Sequence, residues 1–251
     1  MEHTNKFAER FKKSIHIKTM PTETLYQKTA DVYDIRHSSP TTERVRVLEK
    51  ALIRRYAHGK SLDVGCGTGY HLDLIQDIMG LDPSREMLEK AKVKGKKLVL
   101  GKGEKLPFRD GSFDTVLCLF SVLNVCDAGK TAREIRRVLK PGGIAIVSVA
   151  SVWDHTHMSF WRKIRTNPEK FRTKNFRVSG ERAKLRLFTK RDFLSLFEGF
   201  SLQGFDSIYR IVKPRWNNFS DFSVREKLLL KVERLLPRDY GNMYFGVFRK
   251  D

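Results

Sequence analysis

The 251-residue sequence predicts an α/β fold of the doubly wound type, a mostly parallel sheet with helices on both faces, and three observations carry that prediction. From residue 60 onward, short apolar runs alternate with amphipathic stretches, the pattern of successive βαβ units with right-handed crossovers. The run Gly143–Ala150 is apolar on both faces of an extended chain, as a central strand between two helix layers must be. The stretch Ser61-Leu62-Asp63-Val64-Gly65-Cys66-Gly67-Thr68-Gly69 leads a strand into glycines at alternate positions. Turns at the carboxyl ends of strands are where open α/β sheets hold their ligands.

Taken in order, residues 1–20 are basic, and Phe7, Phe11 and Ile15 recur every four positions, which predicts an amphipathic helix packed on the body. Pro40-Thr41-Thr42 is a start signal for a helix over 41–58, with Val45, Leu48, Leu52 and Ile53 on one face. Strands are expected at 60–65, 77–82, 97–102, 113–121, 143–150, 200–211 and 242–250. Helices are expected at about 69–76, 84–93, 129–139, 189–198 and 223–236. Pro141-Gly142-Gly143 predicts the turn that stops the helix before it. Residues 151–189 break the rhythm: the stretch is rich in Trp, Phe, His and Arg and predicts short helices on the carboxyl edge of the sheet.

Forty per cent hydrophobic content over this length supplies one sizeable core. No apolar run approaches the roughly 18 residues needed to cross a bilayer, and the first ten residues lack the apolar centre of a secretory leader. The three cysteines (Cys66, Cys118, Cys126) form neither a disulfide framework nor a metal-ligand spacing, so no metal site is expected. The expectation is a soluble, cytoplasmic protein. The net charge of +20 is concentrated: twelve Lys and Arg against two Glu lie between Arg162 and Arg191. That segment predicts a solvated basic face or contact with a polyanion.

The spacing of the glycines selects the ligand. A dinucleotide turn is G-x-G-x-x-G, aiming a helix N-terminus at a pyrophosphate. Here the pattern is G-x-G-x-G with Asp63 two residues ahead, and a carboxylate there repels pyrophosphate but suits a cation such as an ammonium. Further on, Gly80-Leu81-Asp82-Pro83-Ser84 ends a strand with an acid, placed to accept both hydroxyls of a ribose. Asp63-Val-Gly65-Cys66-Gly67-Thr-Gly69 resembles the first motif of the class I S-adenosylmethionine-dependent methyltransferases. Gly101-Lys102-Gly103-Glu104-Lys105-Leu106-Pro107-Phe108, Asp110–Val116 and Arg133–Gly143 are similar, in order, to later motifs of the type 11 group of that family.

The resemblance covers about residues 60–150 and implies a Rossmann-like, seven-stranded sheet with an antiparallel last strand, at Asn242–Lys250 here. It implies S-adenosyl-L-methionine as cofactor, lying across the first, second and fourth strands. The cofactor-binding residues it points to are Asp63, Gly65, Cys66, Gly67, Gly69, Asp82, Pro83, Met87, Gly103, Glu104, Leu106, Leu119 and Phe120. The chain departs from many relatives at Lys102, where they carry an Asp on the adenine amino group. Lys donates but does not accept, so Glu104 or the backbone of Gly103–Lys105 must make that contact. Tyr33 and Arg36 fall where relatives fold a helix over the cofactor. One domain is therefore expected over 1–251: a helical lid (1–58), a cofactor core (59–150), a basic aromatic insertion (151–189) and the rest of the sheet (190–251).

Methyl transfer from a sulfonium is an in-line displacement, in which alignment supplies much of the rate and a base is needed only when the acceptor must lose a proton. Asp154, His155 and His157 are the base candidates, and Trp153 a substrate contact. The aromatic insertion suits a small-molecule or lipid-like acceptor. The basic residues interleaved with it suit RNA, tRNA in particular, or a fold kept for RNA binding without catalysis.

Overall fold

The computed structural model describes residues 22–154, 160–178, 181–210 and 231–251. In chain order the strands are β1 (Ser61–Val64), β2 (Ile78–Asp82), β3 (Lys97–Leu100), β4 (Phe113–Cys118), β5 (Leu139–Ala150), β6 (Thr173–Val178), β7 (Glu181–Arg186), β8 (Phe200–Ile208) and β9 (Met243–Lys250). Seven of them make one sheet in the order β3-β2-β1-β4-β5-β9-β8, while β6 and β7 pair separately as an antiparallel hairpin. The strands β1 to β5 run parallel to one another, and β9 lies antiparallel between β5 and β8. The seven strands and the antiparallel last one are those expected. The strand order reverses between β1 and β4, which opens a crevice at their carboxyl ends.

The helices are α1 (Thr22–Arg36), α2 (Pro40–Tyr56), α3 (Arg85–Ala91), α4 (Ala128–Val138), a single turn α5 (Phe160–Lys163) and α6 (Lys190–Ser195). Their starts are chemically marked. Ser39 caps α2 ahead of Pro40, the Ser84 hydroxyl accepts from the Met87 amide, and Asp127 accepts from Lys130. Thr189 and Asp192 close a reciprocal capping box on α6. Each cap satisfies amides that the first helical turn leaves unpaired.

Alternate residues of the central strands feed two cores. Val116, Cys118, Ala145 and Val147 pack with Ala132, Ile135 and Val138 of α4 and with Phe193. Leu117, Leu119, Ile144 and Ile146 pack on the opposite face with Ile53 of α2 and Leu88 and Ala91 of α3. Burying each such aliphatic side chain is worth about 1.5–3 kcal/mol, so the period-two pattern fixes the register of the sheet.

Several expectations change. No α-helix forms at 69–76: Gly69 stands at a φ of +83°, outside the helical region, and a single 3-10 turn at Leu72–Leu74 lies in the connection over 65–77. Pro141-Gly142-Gly143 does not end the element but lies within β5, at a register shift opposite Phe113–Thr115, with Gly142 at a φ of +76°. The insertion contains the β6–β7 hairpin as well as short helical turns. Helix α1 falls within the stretch expected as a helical lid (1–58), although no separate element bounds were expected for it. The helices read at 1–20 and over most of 223–236 lie outside the described residues, as do His155 and His157.

Candidate functional site

At the end of β1 the chain folds back onto β2, with the amides of Gly65 and Cys66 both donating to the Leu81 carbonyl at 2.7 and 3.0 Å. Gly65, Gly67 and Gly69 take φ values of +74°, +54° and +83°. At Gly65 a side chain has no room, because a Cβ would lie 2.4 Å from Val122 Cγ2. At Gly67 a Cβ would meet nothing within 4 Å, so the backbone there faces open space. The Gly67 amide donates to Asp82 Oδ2 at 2.9 Å, and the Ser84 amide to Oδ1 at 2.9 Å. Burial pushes the Asp82 carboxyl above its ordinary pKa, although the two amides favour its charged form.

A partly open cleft lies over this turn. Its floor is Val64, Gly65 and Gly67, and its sides include Asp82, Pro83 and Met87 opposite Leu119, Phe120 and Val122, with Gly103 and Glu104 at one end. Helix α1 covers it with Tyr26 and Tyr33. The helix is latched to the turn by Thr68 Oγ1 donating to Asp34 Oδ1 at 2.9 Å, and Lys90 pairs with Asp31 on the surface at 2.8 Å. Tyr33, His37 and Phe120 form an aromatic ladder with centroid spacings of 4.3 and 5.2 Å.

The wall at the end of β4 is strained: Phe120 and Ser121 are left-handed, with φ of +53° and +70°. Such a conformation costs a non-glycine residue about 1–2 kcal/mol. It is held by the Phe120 amide, which donates to Ser148 Oγ at 2.7 Å and to Glu49 Oε1 at 3.0 Å. Ser148 also donates to Glu49 Oε1 at 2.6 Å.

Glu49 belongs to a buried acid–histidine–acid array. His71 Nε2 bonds Glu49 Oε2 at 3.1 Å, and His71 Nδ1 lies 3.9 Å from Asp63 Oδ2. That Asp63 oxygen is buried and has no hydrogen-bond partner among the described residues. Burial raises the Asp63 carboxyl to about 6, with Glu49 and Asp82 pushing it up and His71 pulling it down. Burial works against the charged His71 ring, but the bond to Glu49 and the charges of Glu49 and Asp63 outweigh it and hold its pKa above the ordinary value.

Of the residues expected at the site, Gly65, Gly67, Asp82, Pro83, Met87, Gly103, Glu104, Leu119, Phe120 and Tyr33 line the cleft together. Asp63, Cys66, Gly69 and Leu106 do not. Asp63 faces His71, Cys66 packs with Leu72 and Ile78, and the amide of the buried Leu106 donates to Glu134 at 2.7 Å. Gly69 sits where a Cβ would crowd Leu72, Lys94 and Ala91. Trp153 is a core residue, its ring tilted against Tyr240 and its Nε1–H donating to the Asp239 carbonyl. Asp154 is buried against Lys174, Nζ to Oδ2 2.8 Å. Neither Trp153 nor Asp154 lines the cleft. The backbone of Arg36 ends α1, but its side chain, like the whole of His155 and His157, is outside the described residues. Sequence reasoning missed Glu49, His71 and Tyr26, because they come from α1, α2 and a turn that carry no motif.

The basic segment is partly internal. Lys163 is buried, donating to the carbonyls of Tyr209, Arg210 and Tyr240 and to Asn242 Oδ1. Arg172 pairs with Glu169 and Asp192, Lys174 with Asp154, and Lys190 with Asp239. Lys184 and Arg186 are exposed on the hairpin, opposite Asn175 and Thr173 in the register. No group of three or more metal-ligating side chains occurs among the described residues, and no helix among them is long and apolar enough to cross a membrane.

Residues 62–147, which span β1 to most of β5, match a family model described as a methyltransferase domain. An uncharacterized protein of Methanocaldococcus jannaschii is 31% identical over 204 residues, 77% of this chain and 80% of that protein. A demethylmenaquinone methyltransferase of Staphylococcus saprophyticus is 34% identical over 139 residues, 49% of this chain and 59% of that protein. Among solved structures, a SAM-dependent methyltransferase of Thermotoga maritima, described as a possible histamine N-methyltransferase, superposes with a TM-score of 0.62 at 21% identity. That superposition covers 91% of this chain and 99% of the other and establishes a shared fold.

Proposed function

The chain belongs to the class I S-adenosylmethionine-dependent methyltransferases, and we propose that it transfers a methyl group to an O, N or C nucleophile of a small-molecule or lipid-like acceptor. The observation that carries this reading is the cleft itself, where the Asp82 carboxylate and the open backbone of Gly67 meet under an aromatic cover. The residues fit S-adenosylmethionine on three counts. Gly67 leaves space that any side chain would fill. Asp82 keeps a buried carboxylate at the end of β2, suited to a ribose diol. Asp63 keeps an unpartnered carboxylate oxygen one residue behind the floor, where its negative charge favours a cationic ligand.

When bound, that cofactor supplies a methyl group already activated on a sulfonium. The chain then has to bind, orient and exclude water. Met87 and Pro83 offer apolar faces for the adenine, and Gly103 and Glu104 its polar edge. One Glu104 oxygen already accepts from the Asp127 amide at 3.0 Å, which fixes the carboxylate in place. Leu119 and the left-handed Phe120 form the wall beside the reacting carbon, and Tyr33, Tyr26 and the α1 backbone to Arg36 close the cleft from above. Holding an acceptor about 3–3.5 Å from the methyl carbon is the main catalytic contribution available to such a site. Asp154, paired with Lys174 away from the cleft, is not assigned as a base; His155 and His157 stay candidates for an acceptor that must lose a proton. The three free cysteines suit a reducing, cytoplasmic setting.

Exposed Lys184 and Arg186 on the hairpin support a second reading, in which the acceptor is RNA. Transfer of tritiated methyl groups into fractionated extract separates the two. Label in the small-molecule or lipid fraction is expected, label in RNA establishes the second reading, and label in protein contradicts both.

A further inference from the structure

The α2 side chain Glu49 does not line the cleft, yet its two oxygens reach two different walls. Oε1 accepts from the Phe120 amide and the Ser148 hydroxyl, which holds the left-handed turn at the end of β4. Oε2 holds His71, whose other ring nitrogen faces the unpartnered oxygen of Asp63 behind the glycine turn. Both Glu49 and His71 are buried, so these bonds are not diluted by water. A carboxylate enclosed this way, with a histidine between it and a second acid, is costly to build for packing alone.

We propose that Glu49 and His71 are positioning residues for the cofactor cleft: Glu49 orients the β4 wall directly, and through His71 it sets the orientation and charge of Asp63 beneath the bound cation. The inference rests on the reading that this cleft binds S-adenosylmethionine. The groups facing the array come from every element around it. Arg46 of α2 lies over Tyr70 at 3.9 Å and opposes the charge on His71. Asp82 of β2 adds negative potential at Asp63, Ser148 contributes from β5, and Tyr70 packs edge-on against His71. A protonated His71 favours the ionised form of Asp63, and an ionised Asp63 favours a cationic ligand above it.

The discriminating variant is His71→Gln, whose amide still donates to Glu49 but carries no charge. Binding of S-adenosylmethionine is measured by calorimetry from pH 5 to pH 8 for the wild type, His71→Gln and Glu49→Gln, each checked for folding by thermal melting. In the wild type the affinity rises with pH through the Asp63 range, near 6. In His71→Gln, loss of the neighbouring positive charge moves that rise upward by about one pH unit, a loss of about fivefold in affinity at the original midpoint. In Glu49→Gln the amide oxygen still accepts from Phe120, but the His71 ring, followed by NMR, titrates below its wild-type pKa. An unmoved pH profile with a uniform loss of affinity at every pH, or an unmoved His71 titration in Glu49→Gln, overturns the proposal and leaves packing as the role of the array. Absence of binding by the wild type at any pH defeats instead the assignment of the cleft.

Discussion

Asp82 and Asp63 are both acids at the carboxyl edge of the sheet, yet their surroundings give them different work. Asp82 holds two backbone amides and lines the cleft, while Asp63 sits behind it facing His71, with one oxygen that makes no hydrogen bond among the described residues. The position of Asp82 was legible in the sequence, because an acid ending the second strand has a fixed relation to the glycine turn. The direction of Asp63 was not, since it depends on His71 and Glu49, which only the folded chain brings together. The sign of the Asp63 shift has a testable consequence. Its folded-state pKa, about 6, lies above the ordinary carboxyl value, so its contribution to the stability of the cofactor-free protein falls as pH rises between those two values. A cationic ligand relieves the charge. The rise in melting temperature on adding saturating S-adenosylmethionine is therefore expected to be larger at pH 7.5 than at pH 5.5, and an equal rise at both speaks against a charged Asp63 under the ligand.

Among the elements, β1 to β5 were readable because apolar alternation and turn residues agree with the packing they adopt. The expected helix at 69–76 did not form, since Gly69 at its start takes a left-handed φ of +83°, and His71 and Leu72 are drawn inward instead. The β6–β7 hairpin escaped because its charged, aromatic sequence shows no period-two apolar face. What anchors the insertion is equally hidden in sequence: Lys163 looks like one more cation in a basic run, but it is buried among four oxygen acceptors beneath α5. Asn124, near the cleft, ties the hairpin in as well, donating to the carbonyls of Ala150 and Arg186 at 2.9 and 2.6 Å. Replacing Lys163 with Met leaves those acceptors unpaired and is expected to cost about 3 kcal/mol, read as a lower urea midpoint. A change within about 0.5 kcal/mol would mark the lysine as a surface group.

For the molecule as a whole, a charge of +20 first suggests a polyanionic partner. The fold tempers that inference, since Lys163, Arg172, Lys174 and Lys190 of the basic segment are engaged with acids or carbonyls of the chain itself. Salt dependence resolves which part of the charge matters. For a small or lipid-like acceptor, methyl transfer is expected to change by less than about twofold between 50 and 200 mM salt, whereas an RNA acceptor held through many phosphates loses affinity by orders of magnitude over that range. Every functional assignment made for this chain depends on the cofactor lying over the glycine turn, and calorimetric titration of S-adenosylmethionine into the wild type and Gly67→Arg decides whether it does. Gly67 opens onto empty space, so an arginine there fills the cleft without striking the protein, although its φ of +54° adds some strain. Saturable one-to-one binding is expected for the wild type, and none for a Gly67→Arg protein that still melts cooperatively. Undiminished binding by that variant would put the cofactor somewhere other than this cleft.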